Sequence, residues 1–156
     1  MSVYRISDDF YDHSYTLIAL HCALEDYRIA YFLNVHLHVK FKRLADMVFY
    51  QHKNAFSLYE WEDRDKGTLW NLISNTSRTG NPEAVYDNSL FNSGISGKIS
   101  YLIPERKQAD YFIKIEDESL PEETMHIVHT INRIPHIVTA YSVDPRQLKS
   151  KQNLII

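Results

Sequence analysis

The sequence contains only one cysteine among its 156 residues, so no disulfide can form within the chain. A low cysteine count is typical of proteins from a reducing compartment. Cys22 also lacks a motif that would activate a thiolate, and we expect it to be a small buried apolar residue. No apolar stretch approaches the roughly 20 residues needed to cross a bilayer. The first residues are polar and acidic, unlike a secretory signal. These absences predict a soluble, cytoplasmic protein without a membrane partner.

Positive charge and catalytic motifs are also scarce. The formal net charge is -3, whereas dedicated nucleic-acid binders carry a strong basic excess. The chain has no Gly-x-Ser-x-Gly elbow and no Cys-x-x-Cys pair. The dipeptide Gly97–Lys98 lacks the upstream spacing of a phosphate-binding loop. We therefore predict a non-catalytic protein without a cofactor, which binds a partner protein or a small ligand.

Glycine is rare as well, and its distribution is uneven. Three of the four glycines fall between Asn75 and Ser100, a stretch also rich in Asn, Ser and Thr. This composition predicts a long flexible loop at about residues 75–100. The length and the 44% hydrophobic content are ordinary for one globular unit, so residues 1–156 are predicted to form a single domain.

The periodicity of apolar residues predicts an α+β fold. Alternation or short apolar runs predict strands at residues 15–20, 37–42, 56–62, 68–74, 99–103, 110–116 and 137–143. Residues 99–103 and 110–116 are predicted to form a hairpin across a polar turn. We expect Lys40 or Lys42 to lie opposite Glu60 or Glu62. The prediction is a mainly antiparallel sheet of six to seven strands with two main helices packed on one face.

The first predicted helix runs from Glu25 to about His36 and is apolar nearly all round. One face carries Tyr27, Tyr31 and Val35, and a second flank carries Ile29, Phe32 and Leu33. Helices of this kind are buried or lie against a partner. Burial within the monomer is the preferred interpretation, and a homodimer is the alternative.

The second predicted helix begins near Pro121 and ends before Pro135. Ser119 and Glu122 have the spacing of a capping box, and proline is tolerated in the first turn. Ile127 and Ile131 belong to its predicted buried stripe. A short helix near Arg146 is predicted to follow the last strand.

Aromatic residues make up 13% of the chain, which suits half-buried sheets and binding surfaces. Tyr59, Trp61 and Trp70 lie on the two predicted strands on either side of the polar turn at 63–67. Ligand pockets are commonly lined by aromatic side chains. We therefore predict a ligand-binding site where these three side chains meet the 75–100 loop.

The stretch Ile103-Pro104-Glu105-Arg106-Lys107-Gln108-Ala109-Asp110-Tyr111 resembles the motif of the IPExxxVDY family, with alanine in place of the family's valine. These are small bacterial proteins without an assigned activity. The resemblance implies a bacterial, cytoplasmic protein. It carries no catalytic or ligand-binding role over to any residue of this chain.

A metal-assisted enzyme is the first alternative function. Glu122, His126 and His129 are predicted to share one helix face, and Glu123 with His126 has the Glu-x-x-His spacing of carboxylate-bridged metal sites. Such sites use two copies of the motif, and this chain has one. The competing interpretation is a solvated helix face with a pair between Glu122 and His126.

Binding of single-stranded nucleic acid is the second alternative. His38, Lys40 and Lys42 could form a basic stripe near aromatic residues, a combination that single-strand binders use. We expect Glu60 and Glu62 on the neighbouring strand to neutralise this stripe, and this neutralisation argues against a nucleic-acid partner.

Overall fold

The computed structural model describes residues 15–49, 54–79, 98–116 and 121–156. In chain order its helices and strands are β1 (Thr16–Cys22), α1 (Asp26–Leu37), β2 (Lys42–Arg43), β3 (Met47–Phe49), β4 (Asn54–Phe56), β5 (Leu58–Asp63), β6 (Thr68–Ser74), β7 (Thr76–Thr79), β8 (Lys98–Tyr101), β9 (Tyr111–Glu116), α2 (Pro121–Asn132) and β10 (Ile137–Val143). Short 3-10 segments lie at Pro104–Arg106, Pro145–Gln147 and Lys151–Leu154. The last two replace the predicted terminal helix.

A six-stranded sheet with the order β10-β1-β9-β6-β5-β2 forms the centre, and every neighbouring pair is antiparallel. Two small sheets, β3–β4 and β7–β8, accompany it. The prediction of an α+β fold with a mainly antiparallel sheet is therefore confirmed.

Apolar side chains cover both faces of the central sheet. On β1, Ile18 and Leu20 belong to one core, whereas Leu17 and Ala19 belong to the other, as the two-residue period of a strand requires. Both helices pack on the first core, through residues that include Ile29, Leu33, Ile127 and Ile131. The second core includes Leu148 and Leu154 of the C-terminal segment. The two helices thus lie on one face, as predicted.

The stripe on α1 that we expected to be buried is exposed. Tyr27 and Tyr31 are 61% and 62% exposed, and Val35 is also exposed. The second flank, with Ile29 and Leu33, packs on the sheet instead. The physical reason is that branched aliphatic side chains fill the core without a polar atom, whereas the tyrosine hydroxyls keep their hydration.

The predicted strand at 37–42 is nearly absent. His38 adopts a left-handed conformation with φ 57°, which ends α1 and redirects the chain. The Asn34 side chain then bonds both the N–H and the C=O of Phe41, at 2.8 and 3.3 Å, in place of a neighbouring strand. Of residues 37–43, only Lys42 and Arg43 pair with β5. Lys42 lies opposite Glu60, as predicted.

The predicted hairpin between 99–103 and 110–116 is wrong. β8 pairs with β7, whereas β9 pairs with β1 and β6. The intervening segment is held by Asn75, whose side chain accepts from the Ile103 N–H at 2.8 Å and donates to the Ala109 carbonyl at 2.8 Å. The 75–100 segment therefore begins and ends in strands. Residues 80–97, and Ser119 of the predicted capping box, lie outside the described residues.

The side-chain amide of Asn132 hydrogen-bonds the backbone N–H and C=O of Ala140 on β10. Asn132, the last residue of α2, accepts from the Ala140 N–H at 2.8 Å and donates to the Ala140 carbonyl at 2.9 Å. Among the described strands, β10 pairs only with β1, and the amide takes the place of a further strand.

We expect Asn132→Ala to lower the free energy of unfolding by about 1–3 kcal/mol, because two backbone groups of Ala140 lose their partners. Alanine has the higher helix propensity, so a loss of stability would not arise from α2 itself. Urea denaturation measures the effect, with Gln152→Ala at an exposed position as control. Equal stability of both variants would show that these bonds contribute nothing.

Candidate ligand-binding groove

One groove of about 710 Å³ lies between the C-terminal end of α1, the β5–β6 hairpin and the first turns of α2. We call it the Trp groove. Its lining residues are His36, Leu37, His38, Val39, Trp61, Asp63, Lys66, Thr68, Trp70, Ile115, Glu122, Glu123, His126, Ile127 and Thr130.

Two indoles form the wall of the groove that the sheet provides. Trp61 on β5 lies directly opposite Trp70 on β6, and the ring centroids are 5.8 Å apart with a tilt of 56°. Phe41 meets Trp70 edge to face at 6.4 Å. Both tryptophans are partly buried against the helix-side core, so their rings are held in place while part of each remains accessible.

The helices supply the polar wall. Glu122 and Glu123 lie in the first turn of α2, where the helix dipole favours carboxylates. His126 follows one turn later on the same wall. His36 and His38 approach from the end of α1, and all five side chains are exposed. Three carboxylates, with Asp63, face one lysine, so the groove is negatively charged when the histidines are neutral.

Thr68 lines the groove, lies opposite Asp63 and shares the sheet face of Trp70. It is 4% exposed, and its hydroxyl has no hydrogen-bond partner among the described residues. Leaving a buried hydroxyl unpaired costs about 1–3 kcal/mol. The Asp63 carboxylate is occupied locally, because its Oδ1 accepts from the N–H groups of Asp65 and Lys66 at 3.1 and 3.3 Å.

The structure brings together two of the three residues predicted to bind a ligand. Trp61 and Trp70 line the Trp groove, but Tyr59 does not. Its hydroxyl donates to Asp26 at 3.3 Å and its ring lies 5.4 Å from the Arg43 guanidinium carbon. Burial raises the pKa of Tyr59, and the hydrogen bond with Arg43 opposes that shift.

The predicted contact with the 75–100 loop is not seen in the described parts of that segment. β7 leaves the end of β6 farthest from Trp70, and neither β7 nor β8 lines the groove. The Ser77 hydroxyl instead accepts from the Ala55 N–H at 3.0 Å, which places β7 beside β4.

The three candidate metal ligands are divided between two grooves. Glu122 and His126 line the Trp groove, whereas His129 lines a second groove beside Met125 and Val128. Within the described ranges, no three His, Cys, Asp or Glu side chains are placed to share a metal ion. The arrangement does not reproduce the predicted three-residue cluster.

The candidate nucleic-acid residues are also separated. His38 lines the Trp groove, whereas Lys40 and Lys42 line a neighbouring depression. That depression also contains Arg64 and four carboxylate residues, which are Glu60, Glu62, Asp63 and Asp65. Lys42 lies opposite Glu60, and basic and acidic side chains share this depression.

The residues of the 103–111 motif have structural contacts. Asp110 accepts from the Cys22 N–H at 2.9 Å and pairs with His21 Nδ1 at 2.7 Å. The Tyr111 hydroxyl donates to the Leu24 carbonyl at 2.6 Å. Glu105 accepts from the Ser150 N–H at 2.8 Å. These contacts hold the entry to α1 and the C-terminal segment in place.

Cys22 is buried, as predicted, and burial raises the pKa of its thiol. A raised pKa lowers the thiolate fraction at neutral pH, which opposes nucleophilic chemistry. Cys22 is therefore not an activated nucleophile, although His21 and Asp110 lie beside it.

Sequence reasoning missed Thr68, Asp63 and His36 as groove residues. The alternation of β6 could have placed Thr68 beside Trp70, since residues two apart share a face. The sequence carries no signal that α1 and α2 both approach the hairpin. The two helices are separated by more than 80 residues, and local patterns do not report such contacts.

Comparison with family models, with curated proteins and with solved structures finds no match for this chain. Within the described residues, neither α1 nor α2 has the length and apolar character of a membrane-crossing helix.

We expect Thr68→Val to raise the free energy of unfolding by about 1 kcal/mol, since the change removes a buried unpaired hydroxyl and keeps the shape. Thermal or urea unfolding measures it. Thr130→Val is the control in the same groove. Its hydroxyl donates at 2.9 Å to the His126 carbonyl, and this change should alter stability by less than about 0.5 kcal/mol. Destabilisation by Thr68→Val would reveal a partner for the hydroxyl.

Proposed function

We propose that this protein is a non-catalytic binding protein whose small-molecule ligand occupies the Trp groove. The observation that carries the proposal is the meeting of two indoles with the polar wall of α2 around a single groove of about 710 Å³. Small-molecule sites are concave, partly apolar and furnished with a few polar groups, and their volumes fall in this range.

The chemistry of the lining supports binding over catalysis. Histidines and carboxylates line the groove, but the described residues contain no metal cluster and no activated cysteine. In a nucleophile–base arrangement the base is commonly oriented by a third group. The His21–Asp110 pair is not part of the lining, so it cannot orient a group in the groove.

The proposal extends to the location, the origin and the oligomeric state of the protein. The single cysteine supports a reducing, cytoplasmic location. Membership of the IPExxxVDY family, and with it a bacterial origin, is a proposal based on residues 103–111. The exposed side chains of Tyr27, Tyr31 and Val35 support the further proposal of a homodimer that forms through α1.

A screen of aromatic fragments by NMR tests the groove. The chain has two tryptophans and both line the groove; Trp61 also lines the depression beside Lys40, so a fragment that shifts both indole N–H signals reports on this site. We expect binding fragments to shift both signals. Trp61→Phe and Trp70→Phe should each weaken a binding fragment by about threefold to tenfold, because each removes part of the stacking surface.

Tyr31→Phe, on the exposed face of α1, is the matched control and should leave the affinity unchanged. Unchanged affinity in both tryptophan variants, with their folds intact, would refute the location. Failure of every fragment to shift the indole signals would refute the proposed function.

A further inference from the structure

Among the described residues, no basic side chain forms an ion pair with the carboxylates of the Trp groove. Neither Glu122 nor Glu123 forms an ion pair with another described residue, although both line the groove. Lys66 is the one lysine or arginine among the described lining residues. A ligand that enters this groove therefore meets a negative potential, which a positively charged group would neutralise.

The indoles strengthen the preference for a cation. The face of an indole carries negative charge from its quadrupole and attracts an ammonium group more strongly than any other aromatic side chain does. Trp61 and Trp70 lie in the same groove as the two glutamates. An aromatic wall beside carboxylates suits a ligand that has both a flat apolar part and a cationic part.

We propose that the ligand of the Trp groove is an organic cation, namely a protonated amine carried by a flat apolar ring. The ring packs on Trp61 and Trp70, and the ammonium group is neutralised by Glu122 and Glu123. The inference rests on the proposed function and specifies the chemical class of its ligand.

Three probes with one ring system and different charge test the inference. They are naphthylethylammonium, ethylnaphthalene and naphthylpropionate, which are cationic, neutral and anionic at neutral pH. Titration of the full chain, followed on the two indole N–H signals, gives each dissociation constant. We expect the cation to bind about tenfold more tightly than the neutral probe, and the anion to bind more weakly than both.

The double variant E122Q/E123Q keeps the shape of both side chains and removes their charge. It should weaken the cation severalfold, toward the affinity of the neutral probe, and leave the neutral probe unchanged; the indole faces and Asp63 keep a smaller preference for the cation. Glu62→Gln is the control, since Glu62 is an exposed acid that lines the depression beside Lys40 and not the Trp groove. It should alter none of the three affinities.

The outcomes separate this inference from the proposed function. Equal binding of all three probes, or a preference for the anion, would overturn the cation assignment while a flat-ring site at the groove stands. An unchanged preference for the cation in E122Q/E123Q would overturn the role of the glutamates. If no probe shifts the indole signals, both the inference and the proposed function are wrong.

Discussion

The register between β5 and β6 fixes the geometry of the Trp groove. It places Trp61 opposite Trp70 and Asp63 opposite Thr68, so all four side chains share the helix-side face at one end of the hairpin. The turn Arg64–Gly67 sets this register, and Gly67 adopts φ 66°, which glycine reaches without the strain that a Cβ adds. A one-residue slip of one strand would move its two side chains to the face opposite the other two.

The opposite face of the sheet shows a different way of placing polar groups. Asn71 lies across from both Glu60 and Lys114, and it is fully buried. Lys114 is 5% exposed, yet its Nζ donates to the Leu154 carbonyl at 2.9 Å and pairs with Glu116 at 3.0 Å. A buried ammonium group is tolerated only when it is paired in this way. The lysine thereby fastens the C-terminal segment to the sheet.

Local patterns predicted the parts of the fold that local physics determines. The alternation of β9 separated Tyr111, Ile113 and Ile115 from Phe112 and Lys114, and these residues occupy the two faces as expected. The hairpin of β5 and β6 was also predicted, because its strands are adjacent in sequence. The partners of β9 were not, since antiparallel pairing with β1 joins residues almost 100 positions apart and periodicity carries no information about such distances.

The candidate site was predictable to the same degree. Trp61 and Trp70 were found because they belong to one hairpin. The involvement of Glu122 and His126 with them was missed, because α2 reaches the hairpin only through the tertiary packing of the helices on the sheet. His129 was grouped with Glu122 from helical spacing. The two are on one exposed ridge of α2, but a groove lies on either side of that ridge and separates them.

The 103–111 motif and the Trp groove lie at opposite ends of β9. Asp110 and Tyr111 stand at the start of β9, beside the end of β6 that leads to Asn75, whereas Ile115 near the other end of β9 lines the groove. The motif's contacts with Cys22, Leu24 and Ser150 organise the chain around the first end. Substitutions in the motif should therefore act on stability, and substitutions in the groove on binding. The contacts of residues 103–111 therefore organise one end of the sheet, whereas the groove forms at the other end.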